Sequence, residues 1–356
     1  MLFSLDLGNK QTKLKSSKLE IVLPSRFVIA DKYGDADILG FAIKKNLNKR
    51  YKSSKSEKVF EWGKDLKEGS LESGVIDTMG FGADRYKSDK FNLLVDFALA
   101  ELAKDYSAAR KGFLDVDVQT GIPTEDYYNK DAYQALHDAI MGDHLVYIDE
   151  KPVNIRVNSV IITPQPLGTV LNEIVDHKGV KLENPLESAN IGVVDIGGGT
   201  FLADALRNLH LDKTRKTQLP KGAFVLYLNI KNALSIQKLY PSEHEIEKIL
   251  LAGGEDEKYI YSPDGVQKFD ITNIIMKQRK EFTSEIIGEI MNAYRGFGRM
   301  QLIFITGGGA NLLIRETVEK ELGIVYFVEN SQVANVRGFY KKGLALAKQQ
   351  KENENK

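Results

Sequence analysis

Cysteine is absent from the 356 residues of the sequence, and so is any excess of charge of one sign. Without cysteine there is no disulfide framework, no thiolate catalysis and no zinc or iron–sulfur site held by cysteine. The 49 basic residues cancel the 49 acidic residues, so no field of the whole molecule attracts nucleic acid or anionic lipid. We expect a protein of a reducing compartment, the cytoplasm, without a direct nucleic-acid partner.

Long apolar segments are also missing. No run approaches the roughly 18 apolar residues of a membrane span, and the N-terminus lacks the charged and apolar segments of an export signal. We therefore expect a soluble protein that is not exported and has no membrane partner.

Several motifs of well-known enzymes do not occur. The sequence has no GxxxxGK[ST] and no GxGxxG after a strand, which argues against a P-loop NTPase and a Rossmann dehydrogenase. No GxSxG elbow supports a hydrolase of that class. The histidines show no HExxH or other metal-binding spacing, and we expect surface or packing positions for His137, His144, His177, His210 and His244.

The residues that are present predict an α/β protein. A chain of this length with 42% hydrophobic residues can bury a large core and favours two domains. Apolar or alternating runs predict strands at 2–7, 12–16, 19–23, 59–62, 114–119, 154–162, 191–196 and 302–306. Helical periodicity predicts helices at 91–106, with Ser88 or Asp89 as N-cap, and at 243–251, 273–295 and 336–348, followed by a frayed polar tail.

Residues 44–58 form a basic segment. Seven basic side chains, among them Lys49 and Arg50, stand against the single acid Glu57. We expect an exposed loop here. DNA binding by this loop is the weaker hypothesis, because no stacking residues are interleaved with the charges.

Two distant segments resemble each other. Residues 5–12 (LDLGNKQT) and 194–201 (VDIGGGTF) both have an apolar strand that ends in Asp, then an apolar residue and Gly. A duplicated fold explains this echo.

The two echoing turns carry the residues that phosphate binding requires. Small turn residues expose backbone N–H donors to phosphate oxygens, and the adjacent Asp6 and Asp195 are candidate ligands of Mg²⁺, directly or through water. Lys13 is placed to contact a β- or γ-phosphate. The alternative is that each segment is an ordinary hairpin whose Asp caps a turn.

A third glycine-rich turn follows the buried strand at 302–306. Residues 306–313 (TGGGANLL) connect this strand to a predicted helix. Three glycines let the backbone approach a nucleobase or ribose, and we expect the helix N-terminus to add partial positive charge. The alternative is that tight packing alone requires these glycines.

Six segments in this order resemble the actin-like ATPases, and among them the ParM-type bacterial actins that segregate plasmids. They are LDLGNKQTK (5–13), GIPTEDY (121–127), PQPLG (164–168), VVDIGGGT (193–200), TGGGANLL (306–313) and ANVRGFYKKG (334–343). The resemblance implies the actin-like α/β fold, with two similar ribonuclease-H-like domains around a nucleotide cleft. It implies one domain of residues 1–165 and 334–356, with a small subdomain inserted at about 24–88, and a second of residues 166–333.

The resemblance also implies roles for individual residues. Asp6 and Asp195 match the family's catalytic and Mg²⁺-associated aspartates, and Gln165 matches the glutamine that positions the attacking water. The alternative for Gln165 is a helix cap. The nucleotide-binding positions implied are Gly8, Asn9, Lys10 and Lys13 in the first phosphate loop, Gly197, Gly198, Gly199 and Thr200 in the second, and Gly307, Gly308, Gly309 and Asn311 in the adenosine loop. Ala334 and Gly338 match the second hinge segment.

The sequence departs from the family pattern in two places. The family often has an Asp seven residues after the second-loop Asp, where this chain has Leu202, and an acid occurs only at Asp204. Positions 202 and 204 face the same side of a strand, so Asp204 is a candidate substitute for the missing acid. The ribose-binding residues have no clear match, because Lys277, Arg279 and Glu281 are more typical of a solvated helix face.

The resemblance implies an ATPase that binds ATP, ADP and Mg²⁺, polymerises head to tail, and is captured by a DNA-bound adaptor protein at a plasmid centromere. Three alternatives remain: a small-molecule kinase with Asp117 or Asp126 as the catalytic Asp, a chaperone ATPase, and a cell-shape or phage-positioning actin. A chaperone is disfavoured because a short polar tail follows the last helix where a substrate domain would be expected. No amphipathic anchor of a shape protein is visible at either terminus.

Overall fold

The computed structural model describes residues 1–30, 48–64, 66, 74–183, 185–253, 258–295 and 300–354. Its strands are β1 (Leu2–Leu7), β2 (Gln11–Lys15), β3 (Glu20–Pro24), β4 (Arg26–Ile29), β5 (Lys49–Ser53), β6 (Phe60–Trp62), β7 (Val75–Asp77), β8 (Phe113–Ile122), β9 (Gly142–Ile148), β10 (Lys151–Pro164), β11 (Asn190–Ile196), β12 (Phe201–Arg207), β13 (His210–Leu219), β14 (Ile260–Tyr261), β15 (Phe269–Asp270), β16 (Leu302–Thr306) and β17 (Val325–Phe327).

Its helices are α1 (Gly82–Lys87), α2 (Asp89–Ala103), α3 (Ala108–Lys111), α4 (Thr124–Tyr128), α5 (Lys130–Ile140), α6 (Gln165–Ile174), α7 (Ala223–Ile236), α8 (Glu243–Ala252), α9 (Thr272–Ala293), α10 (Arg315–Leu322) and α11 (Ala334–Glu354). Short 3₁₀ helices occur at Pro185–Ser188, Gly308–Leu312 and Ser331–Val333. None of the helices in the described ranges combines the length and the apolar character that a membrane span needs.

The chain divides into two compact units. Unit 1 comprises residues 1–183 and 333–356, and unit 2 comprises residues 184–332. The domain boundary expected from the sequence lies after residue 165, whereas in the structure the first segment of unit 1 extends to residue 183 and includes helix α6. The reason is a close packing of α6 on α11, since a Cβ at Gly338 would overlap the Gly168 carbonyl oxygen.

Each unit has the same arrangement of five strands. Within the described residues, the order in unit 1 is β3-β2-β1-β8-β10, and the order in unit 2 is β13-β12-β11-β16-β17. In both, the first three strands of the unit are antiparallel neighbours and the last two run parallel to the first. The structure confirms the duplicated α/β fold that the internal echo predicted.

Unit 1 extends its sheet with the inserted segment. Beyond β10 the strand order continues β9-β5-β6-β4-β7, so this sheet has ten strands among the described residues. Apolar side chains of these strands and of α2 form one core, in which Phe27, Tyr51, Phe60, Trp62 and Phe97 contact one another through their rings. The inserted strands therefore continue the main sheet of unit 1 and share its core.

The helices predicted from the sequence occur in the structure, but some of their ends differ from the predicted ones. Ser88 caps α2 by accepting from the Phe91 N–H, as predicted, but α2 ends at Ala103 rather than near Tyr106. Helix α11 runs from Ala334 to Glu354, so most of the tail that we expected to be frayed is helical. Residues 308–312 form a single 3₁₀ turn, so the longer helix expected after the third glycine turn is absent there and its dipole is not available.

Candidate functional site

The two echoing segments form hairpins of the same register. In unit 1, Asp6 lies opposite Lys13 and Leu7 lies opposite Thr12, so residues 8–11 form the turn. In unit 2, Asp195 lies opposite Leu202 and Ile196 opposite Phe201, so residues 197–200 form the turn. Both aspartates are only 5% exposed. Each unit therefore presents one buried carboxylate directly before a turn of the same length.

The first turn is lined by charged side chains. Lys13 Nζ lies 3.2 Å from Asp6 Oδ2, and the same ammonium lies against Gly8, where a Cβ would be 3.2 Å from it. Such a Cβ would also lie 2.9 Å from the Gln11 carbonyl oxygen. Gly8 is therefore needed both for the turn and for the approach of Lys13. Asn9, Lys10 and Gln11 complete the turn and are half-buried.

The carbonyl groups of the first turn accept hydrogen bonds from Arg85 and Ser25. Arg85 Nη2 donates to Leu7 O at 2.8 Å and to Gly8 O at 3.1 Å, and Ser25 Oγ donates to Gly8 O at 2.6 Å. The Ser25 N–H donates to Lys10 O at 2.9 Å. A peptide whose carbonyl is fixed on one side directs its N–H to the other. Sequence reasoning missed both Arg85 and Ser25, because they lie outside the motif that they support.

The carbonyl groups of the second turn are held by a helix. The N–H groups of Ala223 and Phe224, the first residues of α7, donate to Gly197 O at 3.0 Å and to Gly198 O at 2.8 Å. A Cβ at Gly222 would lie 2.5 Å from Gly198 O, so only glycine permits this approach. Gly222 was also missed, since a single glycine before a helix is not a specific signal.

The third glycine turn packs on the second. Gly307 has φ +86°, and a Cβ at this position would overlap Asp195 Oδ1. A Cβ at Gly309 would lie 2.6 Å from Ile196 Cγ2, and Ser331 Oγ donates to Gly307 O at 2.9 Å. Gly308 is half-buried and Asn311 is exposed. Within unit 2 the structure thus brings the predicted second phosphate loop and the predicted adenosine loop together.

Arg279 was expected on a solvated helix face, and this expectation was wrong. Its Nε donates to Leu312 O at 2.9 Å, its Nη2 to Leu313 O at 3.3 Å and its Nη1 to Tyr259 Oη at 2.9 Å. Arg279 therefore fixes the end of the third turn. Lys277 and Glu281 do form an exposed pair at 3.9 Å, as expected for a solvated face.

Gln165 follows the carboxyl end of a strand parallel to β1. Strand β8 pairs with both β1 and β10 in parallel, with Thr120 opposite both Leu5 and Ile162. Asp6 and Gln165 therefore lie at the same edge of the unit 1 sheet. Pro164 occupies the N-cap position of α6, and Gln165 is the first residue of this helix.

The ANVRGF motif has a packing role in unit 1. A Cβ at Gly121 or at Gly168 would overlap the ring of Phe339, and Ala334 is fully buried. Ser4 Oγ donates to Val336 O at 2.9 Å. Glycines of the GIP and PQPLG segments are thus required by the helix that starts with ANVRGF.

Asp204 lies too far along its strand to replace an acid at position 202. It is opposite Val193, whereas Leu202 is opposite Asp195. The two positions face the same side of β12, and a strand rises about 3.4 Å per residue, so Asp204 lies roughly 7 Å further from the turn. Its carboxylate is buried.

The basic segment was expected to be an exposed loop, which was wrong for residues 49–53, whereas residues 54–58 lie outside the strands and are mostly exposed, as predicted. Residues 49–53 form β5, Lys49 Nζ lies 2.8 Å from Glu101 Oε1, and Lys55 Nζ lies 2.7 Å from Asp96 Oδ1. Burial by itself raises the pKa of the Asp96 carboxyl, but hydrogen bonding by His144 and the charge of Lys55 lower it below its usual range. Residues 44–47 lie outside the described residues.

The remaining acid and histidine candidates have structural partners. Tyr86 Oη donates to Asp126 Oδ2 at 2.9 Å, and burial raises the pKa of that carboxyl above its usual range. Ser159 Oγ donates to Asp117 Oδ1 at 2.6 Å. His144 is buried between Asp96 and the Ile140 carbonyl. Across the described ranges, no group of three or more histidine or acidic side chains is placed to hold a metal ion.

Two family models match the chain. The N-terminal domain of actin-like proteins matches residues 4–168, and the C-terminal domain of Alp7A matches residues 190–333. No curated protein sequence matches.

Solved structures match over nearly the whole length. The apo ParM protein of pSK41 is 23% identical, with 98% of each chain covered and a TM-score of 0.74. An archaeal actin homologue, Ta0583, in complex with ADP is 16% identical, with 96% of this chain and 98% of that chain covered and a TM-score of 0.74. A filament of Alp12 is 16% identical, with 98% of each chain covered and a TM-score of 0.65. At these identities the structural matches establish the actin-like fold.

Proposed function

The chain belongs to the actin-like proteins, with a C-terminal domain of the Alp7A type, and from this we propose that it is an ATPase that polymerises with ATP. The observation that carries the proposal is the pair of hairpins with equal register, each with a buried Asp before a turn whose carbonyls are held from behind. Backbone N–H groups aimed away from fixed carbonyls are donors for phosphate oxygens.

Nucleotide binding is assigned to three turns. Gly8, Asn9, Lys10 and Lys13 serve the first phosphate loop, Gly197, Gly198, Gly199 and Thr200 the second, and Gly307, Gly308, Gly309 and Asn311 the adenosine loop. The complex of the archaeal homologue with ADP supports this assignment.

Asp6 and Asp195 are the carboxylates that would hold Mg²⁺, and when bound the ion neutralises phosphate charge. They fit this role because Mg²⁺ prefers carboxylate oxygen and keeps several waters and phosphate ligands, so a cluster of three protein carboxylates is not required. Lys13, paired with Asp6 in this structure, supplies a second positive charge to phosphate.

Hydrolysis then depends on positioning and electrostatics. Gln165 orients the attacking water, because its amide both donates and accepts hydrogen bonds. Gln165→Ala is expected to slow phosphate release while ATP affinity stays within about twofold of wild type, since the glutamine acts on the water and not on the nucleotide. Wild-type turnover in this variant would remove the assignment.

The proposed assembly is a head-to-tail filament. Heterologous contacts that do not close into a ring generate a fibre, and the Alp12 match is a filament. We further propose that a DNA-bound adaptor protein at a plasmid centromere captures the filament, as in ParM-type systems. Direct DNA binding is not part of the proposal, because Lys49 and Lys55 are paired with buried carboxylates.

Sedimentation tests the proposal. The protein is pelleted with Mg²⁺-ATP, with Mg²⁺-ADP and without nucleotide, phosphate release is measured in parallel, and the pellet is imaged by electron microscopy. Filaments that form with ATP and disassemble after hydrolysis are expected. Phosphate release without sedimentation in any condition would favour a non-polymerising ATPase or kinase of the same fold, and absence of ATP binding would overturn the proposed function altogether.

A further inference from the structure

The guanidinium of Arg85 is a buried cation directly behind the first turn. The residue is 7% exposed. Its guanidinium donates to the main-chain carbonyls of Leu7, Gly8 and Thr78 and lies 4.9 Å from the Phe91 ring centroid and 5.7 Å from that of Tyr86. The charges of Asp126 and Asp6 also favour the charged form, but within the described residues no carboxylate lies within ion-pair distance of it. Burial lowers the pKa of this guanidinium, which reflects the cost of holding the charge there. A buried charge without a carboxylate partner requires an explanation.

Unit 2 shows what occupies the corresponding place. There the chain passes from β13 to the 14-residue helix α7 within a few residues, and the first N–H groups of α7 meet Gly197 O and Gly198 O. A helix N-terminus carries roughly half a positive charge. The turn carbonyls of unit 2 thus accept from a positive group that lies behind them.

Unit 1 cannot use a helix in this way. The inserted strands β4 to β7 separate β3 from the next helix, α1, which has six residues. Arg85 lies on this short helix and reaches the turn with its side chain. Gly80 makes room for it, since a Cβ there would lie 3.0 Å from Arg85 Cβ, and the Gly80 N–H donates to Asn9 Oδ1 at 3.2 Å.

We propose that Arg85 is a positioning residue for phosphate binding, which holds the Leu7 and Gly8 carbonyls away from the nucleotide and places a positive charge behind the first turn. It performs in unit 1 the task that the N-terminus of α7 performs in unit 2. This inference rests on the proposed nucleotide binding. The inference adds to that function a role in phosphate binding for a residue that does not contact the nucleotide.

Binding constants for ATP, ADP and adenosine separate a phosphate-directed role from a structural one. Arg85→Met removes the charge and the hydrogen bonds, Arg85→Lys keeps the charge without the forked geometry, and Ser25→Ala removes one carbonyl contact without a charge. Arg110→Met is the matched control, because Arg110 also donates to a main-chain carbonyl, that of Lys104, at 3.0 Å but is exposed.

We expect Arg85→Met to weaken ATP by at least about tenfold, ADP by less, and adenosine by less than about twofold, because the lost interaction grows with phosphate charge. Arg85→Lys should recover part of the ATP affinity, and Arg110→Met should match wild type. Equal weakening of all three ligands, or unchanged ATP affinity, would overturn the proposal. If Arg85→Met does not unfold cooperatively, Arg85→Lys decides by the same criterion. Failure of the wild type itself to bind ATP would instead refute the proposed function.

Discussion

The hairpins at Asp6 and Asp195 have the same backbone and different chemistry. Register and turn length are identical, and both aspartates are buried. Lys13 lies opposite Asp6 in the first hairpin, whereas Leu202 lies opposite Asp195 in the second. The first turn is held by the side chains of Arg85 and Ser25, and the second by the first N–H groups of α7. The comparison teaches that the shared element is the position of the backbone carbonyls and of one carboxylate.

The largest effect is expected at the shared carboxylate. Asp195→Ala should reduce ATP hydrolysis by about a thousandfold or more, since it removes from the proposed site a buried carboxylate assigned to hold Mg²⁺. Asp6→Ala should reduce hydrolysis as well but leave ATP affinity equal or tighter, because Lys13 loses its partner. Steady-state phosphate release and ATP affinity measure both.

Asp212→Ala is the control for these variants, because Asp212 is also an aspartate of unit 2 but bonds to Thr214 in an exposed part of β13. Equal affinity changes in Asp6→Ala and Asp195→Ala would break the comparison, since the two carboxylates would then be equivalent.

Gly222→Ala tests the helix-held turn. The new Cβ meets Gly198 O at 2.5 Å, so α7 or the turn must shift, and we expect a loss of about 3 kcal/mol in the free energy of unfolding. Urea denaturation measures it. Gly288→Ala in α9, where nothing lies within 4 Å of the added Cβ, should be neutral or stabilising. A Gly222→Ala protein as stable as Gly288→Ala would show that the helix does not hold the turn closely.

Lys13→Leu gives the first hairpin the residue found in the second. We expect ATP affinity to fall by about tenfold while adenosine affinity is unchanged, because a point charge near the phosphates is lost. Titration with both ligands measures the difference. Lys52→Leu, an exposed lysine on β5, serves as the control. An unchanged ATP affinity would show that the charge of Lys13 does not contribute to phosphate binding.

The smallest effect is expected at the third strand of unit 1. Arg337 Nε and Nη2 and Lys15 Nζ donate to Glu20, and the Arg337 hydrogen bond lowers the pKa of that carboxyl to about 2. A depressed folded-state pKa stabilises the protein above the unfolded value and loses this contribution as pH falls. Glu20→Gln should therefore cost about 1 kcal/mol at neutral pH, because the pair is partly exposed.

The pH dependence of Glu20→Gln separates it from its control. Its stability deficit relative to wild type should shrink as pH falls from 4.5, the ordinary pKa of a glutamate, to about 2, the lowered pKa of Glu20. Glu321→Gln, at an exposed glutamate of α10, should show no such trend. Thermal unfolding over this range is the measurement. A deficit that is constant with pH would mean that the carboxylate charge is not what clamps β3 to α11.

Local patterns made much of the fold predictable. The strand ends at Asp6 and Asp195 and the Ser88 cap depend on residues that are neighbours along the chain. Each of the six family segments is likewise a short continuous run of residues. Lys49 was wrongly predicted to lie in a solvated loop, because its partner, Glu101, lies more than 40 residues away along the chain. Arg85, Gly222 and Arg279 were missed or misread for the same reason: each supports a motif from another segment.

The contact between α6 and α11 has a consequence for synthesis of the chain. Thr169 Oγ1 donates to Asn335 Oδ1 at 2.8 Å across 166 residues, beside the close approach of Gly338 to the Gly168 carbonyl. All of unit 2 is encoded between these partners. On the ribosome the later half can therefore finish folding while the earlier half still lacks its closing helix. The first residues to emerge belong to the last unit to be completed.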